Sequence, residues 1–332
     1  MRKLSVMLIL SICVVVVSFM VGRFHIGWQD LLDLAEAYMT KADVGDSARI
    51  GMIFARVRFP RVVCAFLAGV GLSVAGVSYQ GVFRNPMVSP DILGATAGAG
   101  FGAAVALLLS FNTFGVQATA FVMGIGAVGI TYAICRAVGD RANVILTLVL
   151  GGIVVSALFN AGISLMKYVA DPYTKLPEIT FWLMGSIAAA DMADIAVVGI
   201  PVVVAGVPLF LLRWQINLLA FSDEEAQSMG VDTKTIRLAV IICATLITAS
   251  VVSAFGIIGW VGLVMPHFAR MIVGSDMRLL MPASIMLGGS YMVIVDDIAR
   301  AATALEIPIG IITAIVGAPF FIYLLCKGRA TA

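Results

Sequence analysis

The residues in this chain whose types could do chemistry are few. There are two histidines, His25 and His267, and no HExxH pair, no GxSxG turn and no GxxxxGK[ST] phosphate loop. The only Lys-Gly neighbours are Lys327 and Gly328, at the tail. The cysteines Cys13, Cys64, Cys135, Cys243 and Cys326 stand singly in apolar runs with no CxxC spacing, so no metal or disulfide framework is expected. The glycines of Gly98-Ala-Gly-Phe-Gly102 follow no strand and open no βαβ unit, which argues against a dinucleotide loop. These absences argue against a hydrolase, a metalloprotease or a nucleotide-hydrolysing subunit. What remains is ion pairing, capping and polar side chains in apolar surroundings.

Three charged groups stand out. Asp297 and Arg300 are three apart at the end of an apolar run, beside the further acid Asp296. That spacing allows a pair along one helix face, or leaves Arg300 to meet an acidic partner. Arg56, Arg58 and Arg61 precede another apolar run, with Pro60 expected to set the helix start. They suit lipid headgroups or an acidic protein surface. Ser222 and Glu225 have capping-box spacing, and Gly230 is a natural terminator. A short helix over about 223–229 is expected, with Asp223, Glu224 and Glu225 in its first turn, where the helix dipole favours acids. It is either an ordered connector or a docking element.

Uncharged polar residues also sit in apolar runs. Gln80, Asn85, Ser89 and Asp91 surround a turn, and Asp91 fits an N-cap. Asn160 and Ser164 lie one helical turn apart. Such a stripe serves helix–helix hydrogen bonding or lines a path through a bundle.

The elements that must position these residues follow from composition. Of 332 residues, 61% are hydrophobic and 12% charged, with a mean hydropathy of +1.07. A soluble domain carries about 25% charged residues, so the surrounding solvent is lipid. Spans are expected at 4–22, 61–82, 91–110, 114–136, 144–167, 193–213, 236–257, 258–272, 279–301 and 308–327. The span at 258–272 is short and is interrupted by Pro266. The first run follows Met1-Arg-Lys without a small-x-small cleavage site and reads as a retained helix. The stretch 177–189 is too short to span and reads as an interfacial helix. With both termini in the cytoplasm, twelve of the 21 lysines and arginines fall inside and nine outside. The expected class is all-α: one polytopic transmembrane domain over residues 1–332 with about ten crossings. Glycine spacing at Gly94, Gly98 and Gly102, and at Gly256, Gly259 and Gly262, suggests faces for close helix packing.

Several ordered motifs carry a resemblance. They are Arg58-Phe-Pro-Arg61; Gln80-Gly-Val-Phe-Arg-Asn-Pro-Met-Val-Ser-Pro-Asp-Ile-Leu-Gly94; Gly259-Trp-Val-Gly262 through Pro266-His267-Phe-Ala-Arg270; Asp297-Ile-Ala-Arg300; and Glu306-Ile-Pro through Gly317-Ala-Pro319. Across residues 4–327 the chain resembles the iron-siderophore, haem and cobalamin permeases of the FecCD type. The match departs at Met87-Val88 and at Met277, where many relatives have Leu-Ala and His, and in the added acid Asp296.

The resemblance implies a type II ABC importer permease fold. It implies a cell-membrane homodimer or close heterodimer, two ATPase subunits that carry ATP and Mg, and an extracytoplasmic substrate-binding protein. It implies no nucleic-acid partner and no cofactor or metal on this chain. Ser222, Asp223, Glu224, Glu225, Ala226, Gln227, Ser228, Met229 and Gly230 match the ATPase-coupling element. Arg58, Arg61 and Arg300 match the arginines that receive the binding protein. The stretch 177–189 matches an outer helix near the entrance, and Asn143 to Thr147 falls near the cytoplasmic gate. Gln80, Asn160 and Ser164 are candidates for the path. The expected function is ATP-driven import of a metal chelate, a ferric siderophore first, with haem, cobalamin and molybdate or tungstate as alternatives. An ion-coupled transporter is the remote alternative, because ionisable groups near the midplane are few.

Overall fold

The computed structural model of the chain describes residues 2–22, 27–30, 47–138, 144–303 and 305–328, and these form helices, turns and loops only. In chain order the helices are α1 (Arg2–Ser18), α2 (Ser47–Ile53), a π turn (Phe54–Arg58), α3 (Phe59–Val82), α4 (Ala95–Leu108), α5 (Thr113–Val138), α6 (Val144–Val169) and α7 (Lys175–Leu183). They continue with α8 (Met192–Leu211), α9 (Arg213–Leu218), α10 (Asp223–Ser228), α11 (Thr233–Phe255), α12 (Val261–Val273), α13 (Met277–Ala301) and α14 (Ile309–Gly328). Among the described residues a helix stands in each of the ten expected spans. Six are long and apolar enough to cross a bilayer alone: the Ile50–Val82 path through α3, then α5, α6, α8, α11 and α13. The shorter apolar helices α4, α12 and α14 each follow an unwound stretch packed against protein. Ile309 and Gly310 donate to the carbonyls of Gly185 and Met184, at 3.0 and 3.1 Å. Irregular backbone survives at membrane depth when protein satisfies it in this way.

The bundle is built around α3, which packs against α13, α11, α8 and α12. The apolar window of its path is 78% buried, against 22% for α6 and for α8. The outer helices present Val122, Ile153, Leu158 and Val204 outward, a surface that only lipid or another apolar chain can cover. The chain is an integral membrane protein.

Small residues let the inner helices touch backbone to backbone. A Cβ on Gly76 would lie 1.8 Å from the carbonyl oxygen of Gly262, and one on Gly69 would lie 2.1 Å from that of Gly288. Gly98 and Gly102 hold α4 against α5 at the backbones of Met123 and Thr119.

Four local expectations are corrected. Gly94 is the N-cap of α4, outside the Gly98–Gly102 face. Gly256, Gly259 and Gly262 do not share a helix face, because residues 256–260 are unwound between α11 and α12. Gly256 needs glycine there: its φ is +74°, and a Cβ would lie 2.2 Å from the Trp182 carbonyl oxygen. Asp91 does not cap α4, which begins only at Ala95; its carboxylate accepts from Ser89 instead. Pro60 lies at the start of α3 but does not begin the helical path, which enters through α2 and the π turn.

Candidate functional site at the two ends of the bundle

At the C-terminal end of α3, the α8–α11 connection is ordered helix by helix. The 222–225 capping box forms as its spacing requires. Ser222 Oγ accepts from the Glu225 amide at 3.2 Å, and Glu225 Oε2 accepts from the Ser222 amide at 2.9 Å. The Ser222 amide is also the main reason the Glu225 carboxyl titrates below its ordinary range. Asp223, Glu224 and Glu225 fill the first turn of α10, Ala226 is buried beneath it, and Gln227, Ser228 and Met229 lie on the exposed side. Gly230 ends the turn with φ +83° and open space around it.

Tertiary contacts anchor this helix. Asp223 accepts from Arg84 at 2.7 Å and from Arg237 at 3.3 Å. Arg84 follows α3 and also donates to the Leu219 carbonyl at 2.5 Å. Arg237 belongs to α11. The preceding helix α9 is tied to α13: Asn217 donates to Asp276 at 2.7 Å and accepts from the Met277 amide at 2.8 Å. Hydrogen bonds from Arg278 above all, then Asn217, hold the Asp276 carboxyl well below the usual carboxylate range. Arg84, Asn217, Arg237 and Asp276 were not among the expected site residues. Arg84 and Asp276 lie inside the quoted motifs, but only folding brings them to the loop.

At the other end of α3, Arg58, Arg61 and Arg300 converge, each with 5% exposure. Arg61 Nε lies 3.0 Å from both oxygens of Asp296, and its two terminal nitrogens form a fork on Glu306 at 3.0 and 2.9 Å. Arg300 donates to the Ser18 carbonyl at 2.6 Å and pairs with Asp297, the i,i+3 pair expected from spacing. Arg58 donates to the carbonyls of Phe19 and Val21, both at 2.8 Å. Three arginines thus meet three carboxylates, and the cluster joins α1, α3, α13 and the α13–α14 loop. In this conformation the hydrogen bonds of all three arginines run to groups of the chain itself.

The path candidates separate. Gln80 is buried; it accepts from Arg270 at 2.9 Å and donates toward the Val88 and Leu263 carbonyls. It therefore braces α3, α12 and the 83–94 turn rather than lining an open path. Asn160 and Ser164 share an exposed face of α6, with Ser164 Oγ on the Asn160 carbonyl at 3.0 Å. Thr147 lies near the start of the same helix, half-buried, and Asn143 falls outside the described residues. The stretch 177–189 holds the short helix α7 with Ile179 buried beneath it.

Comparison with known proteins places this architecture. The sequence profile of the FecCD transport family matches residues 8–327. The chain is 36% identical to the molybdate import system permease protein MolB of Haemophilus influenzae, over 96% of this chain and 94% of that one. It is 35% identical to a probable iron chelatin transport system permease protein of Helicobacter pylori, over 91% and 90%. A solved inward-facing transporter of the metal-chelate ABC type superposes with a TM-score of 0.87 at 34% identity, covering 98% of this chain and 99% of that one. With that match along nearly its whole length, this membrane protein belongs to the FecCD transport family and is the permease of a metal-chelate type ABC importer.

Proposed function

We propose that the chain imports a ferric siderophore into the cytoplasm by alternating access, driven by ATP hydrolysis on two separate ATPase subunits. The observation that carries the mechanism is the anchoring of α10. A capped helix whose first residue is held by Arg84, just past α3, and by Arg237 of α11 transmits a push from outside the bundle into its central helix. Ser222 to Gly230 would sit on the ATPase, with both termini of the chain on that cytoplasmic side.

Two permease copies would face one another across α6. Asn160 and Ser164 are exposed on that helix, and polar side chains at this depth are costly against lipid. They therefore suit a shared water-filled path, with Thr147 nearer its cytoplasmic end. A substrate-binding protein would dock on the opposite face, over Arg58, Arg61 and Arg300. Of the three internal carboxylates Glu306 is the most exposed, at 30%, and a carboxylate of the binding protein would exchange for it on Arg61.

The iron chelatin relative supports a ferric chelate, and the similarity to MolB favours a second reading, an oxyanion such as molybdate. The test is uptake by proteoliposomes holding this chain, its ATPase and its binding protein, with ferric siderophores, haem, cobalamin and molybdate offered in turn. ATP-dependent accumulation of a ferric siderophore supports the first reading, and molybdate alone supports the second. Accumulation driven by an ion gradient without the ATPase refutes both.

A further inference from the structure

A cavity of about 570 Å³ opens beside α10, walled by the ends of α5, α6 and α11. Its charged lining is Arg136, Lys234, Arg237 and Asp223, three cations against one anion. That anion is already shared between Arg84 and Arg237. Arg136 and Lys234 are exposed and have no ion-pair partner among the described residues. Arg237 is buried with its Nε unpartnered, as is the hydroxyl of Thr233 in the same wall. A buried polar group left without a partner is costly, so the wall is incomplete as it stands.

The rest of the lining is Gln227 and an apolar wall of Cys135, Val144, Leu148, Leu238 and Ile241, with Tyr132. Val144 on α6 and Leu238 on α11, both in this lining, are exposed. A basic pocket with an exposed apolar wall at the end of membrane helices fits one kind of occupant, a phosphate with an acyl chain attached. We infer that this cavity binds the headgroup phosphate of an anionic phospholipid, which rests against Arg136 and Lys234 while its chain lies along Val144 and Leu238. Through Arg237 and Asp223 the bound lipid stiffens the seat of α10. The inference rests on the proposed role of α10 in coupling.

The experiment uses the assembled transporter in nanodiscs of neutral lipid doped with phosphatidylglycerol, read by native mass spectrometry for retained lipid and by ATP-dependent uptake after transfer to vesicles. The variants are Arg136→Gln and Lys234→Gln, singly and together. Each removed charge should lower preferential retention of phosphatidylglycerol about fivefold, and the pair about 30-fold, with uptake in purely neutral vesicles unchanged. Equal retention by parent and double variant would overturn the site. Full protection by inorganic phosphate without preference for the lipid would also overturn it, assigning the pocket to a free anion. Loss of all ATP-dependent uptake in the parent protein counts instead against the importer reading, whatever the lipid result.

Discussion

The carboxylate of Asp223 lies 2.7 Å from the guanidinium of Arg84, so the first residue of the loop helix α10 is joined to the end of the most buried helix in the bundle. The pair is partly exposed, and pairs of that kind contribute about 0–1 kcal/mol to stability. In the proposed coupling role of α10 its importance is mechanical.

Arg84→Gln should therefore leave thermal unfolding of the purified permease nearly unchanged, and Asp223→Asn, which also takes the carboxylate from the buried Arg237, should lower it, while both lower substrate moved per ATP hydrolysed. Paired uptake and ATPase assays on the reconstituted importer check this. Unchanged stoichiometry in both variants would show that motion reaches α3 by another route.

Ser222→Ala removes the hydroxyl that caps α10, a loss worth about 1 kcal/mol of helix stability. Amides 223–228 should exchange faster in hydrogen-exchange mass spectrometry, and those of α11 should not. Identical exchange in the parent and the variant would mean that the arginines alone hold α10.

Asp296→Ala strands Arg61 and Arg300 with one carboxylate fewer in a buried cluster, and breaking such a pair typically costs about 3–5 kcal/mol. The melting temperature of the isolated permease should fall sharply. Glu306→Gln, at the exposed edge, should cost much less. Arg61→Glu should also destabilise the permease before any partner is added. If Arg61→Glu melts like the parent, the guanidinium is free for docking and its internal role is wrong.

Gly76→Ala and Gly69→Ala place a methyl against the backbones of α12 and α13, and overpacking of this kind costs about 1–3 kcal/mol or more. Yield in the membrane fraction and melting temperature should both fall. Gly206→Ala, with open space around it, is the neutral control.

The Asp276 carboxyl is depressed below its ordinary value of 3.8 by Arg278 and Asn217. A depressed acid stabilises the fold above its unfolded pKa, and that contribution disappears only as pH falls through the lower folded value. The difference in melting temperature between the parent and Asp276→Asn should thus stay constant from pH 7 down to about pH 5 and shrink as the pH falls below about 4. A difference that also stays constant below about pH 4 would show an ordinary carboxyl, whose pKa folding does not change.

Much was legible in the chain itself. Ten apolar runs specify ten membrane helices because lipid leaves the backbone no other partner than itself. The capping box and Gly230 are local signals that set where α10 starts and stops, while Arg84 and Arg237 hold it in place. The i,i+3 pair of Asp297 and Arg300 follows from helix periodicity alone. The tertiary structure decided what spacing cannot reach. Arg61 and Glu306 are 245 residues apart and share a fork of hydrogen bonds. Gln80 looked like a path residue until packing closed Arg270 over it. Gly256 and Gly262 have helical spacing, yet the turn between α11 and α12 sends them to different neighbours. Local pattern determines which segments are helical and how they end. Which charges are buried, and against whom, depends on how those helices cross, and that is settled only when small residues bring their backbones into contact.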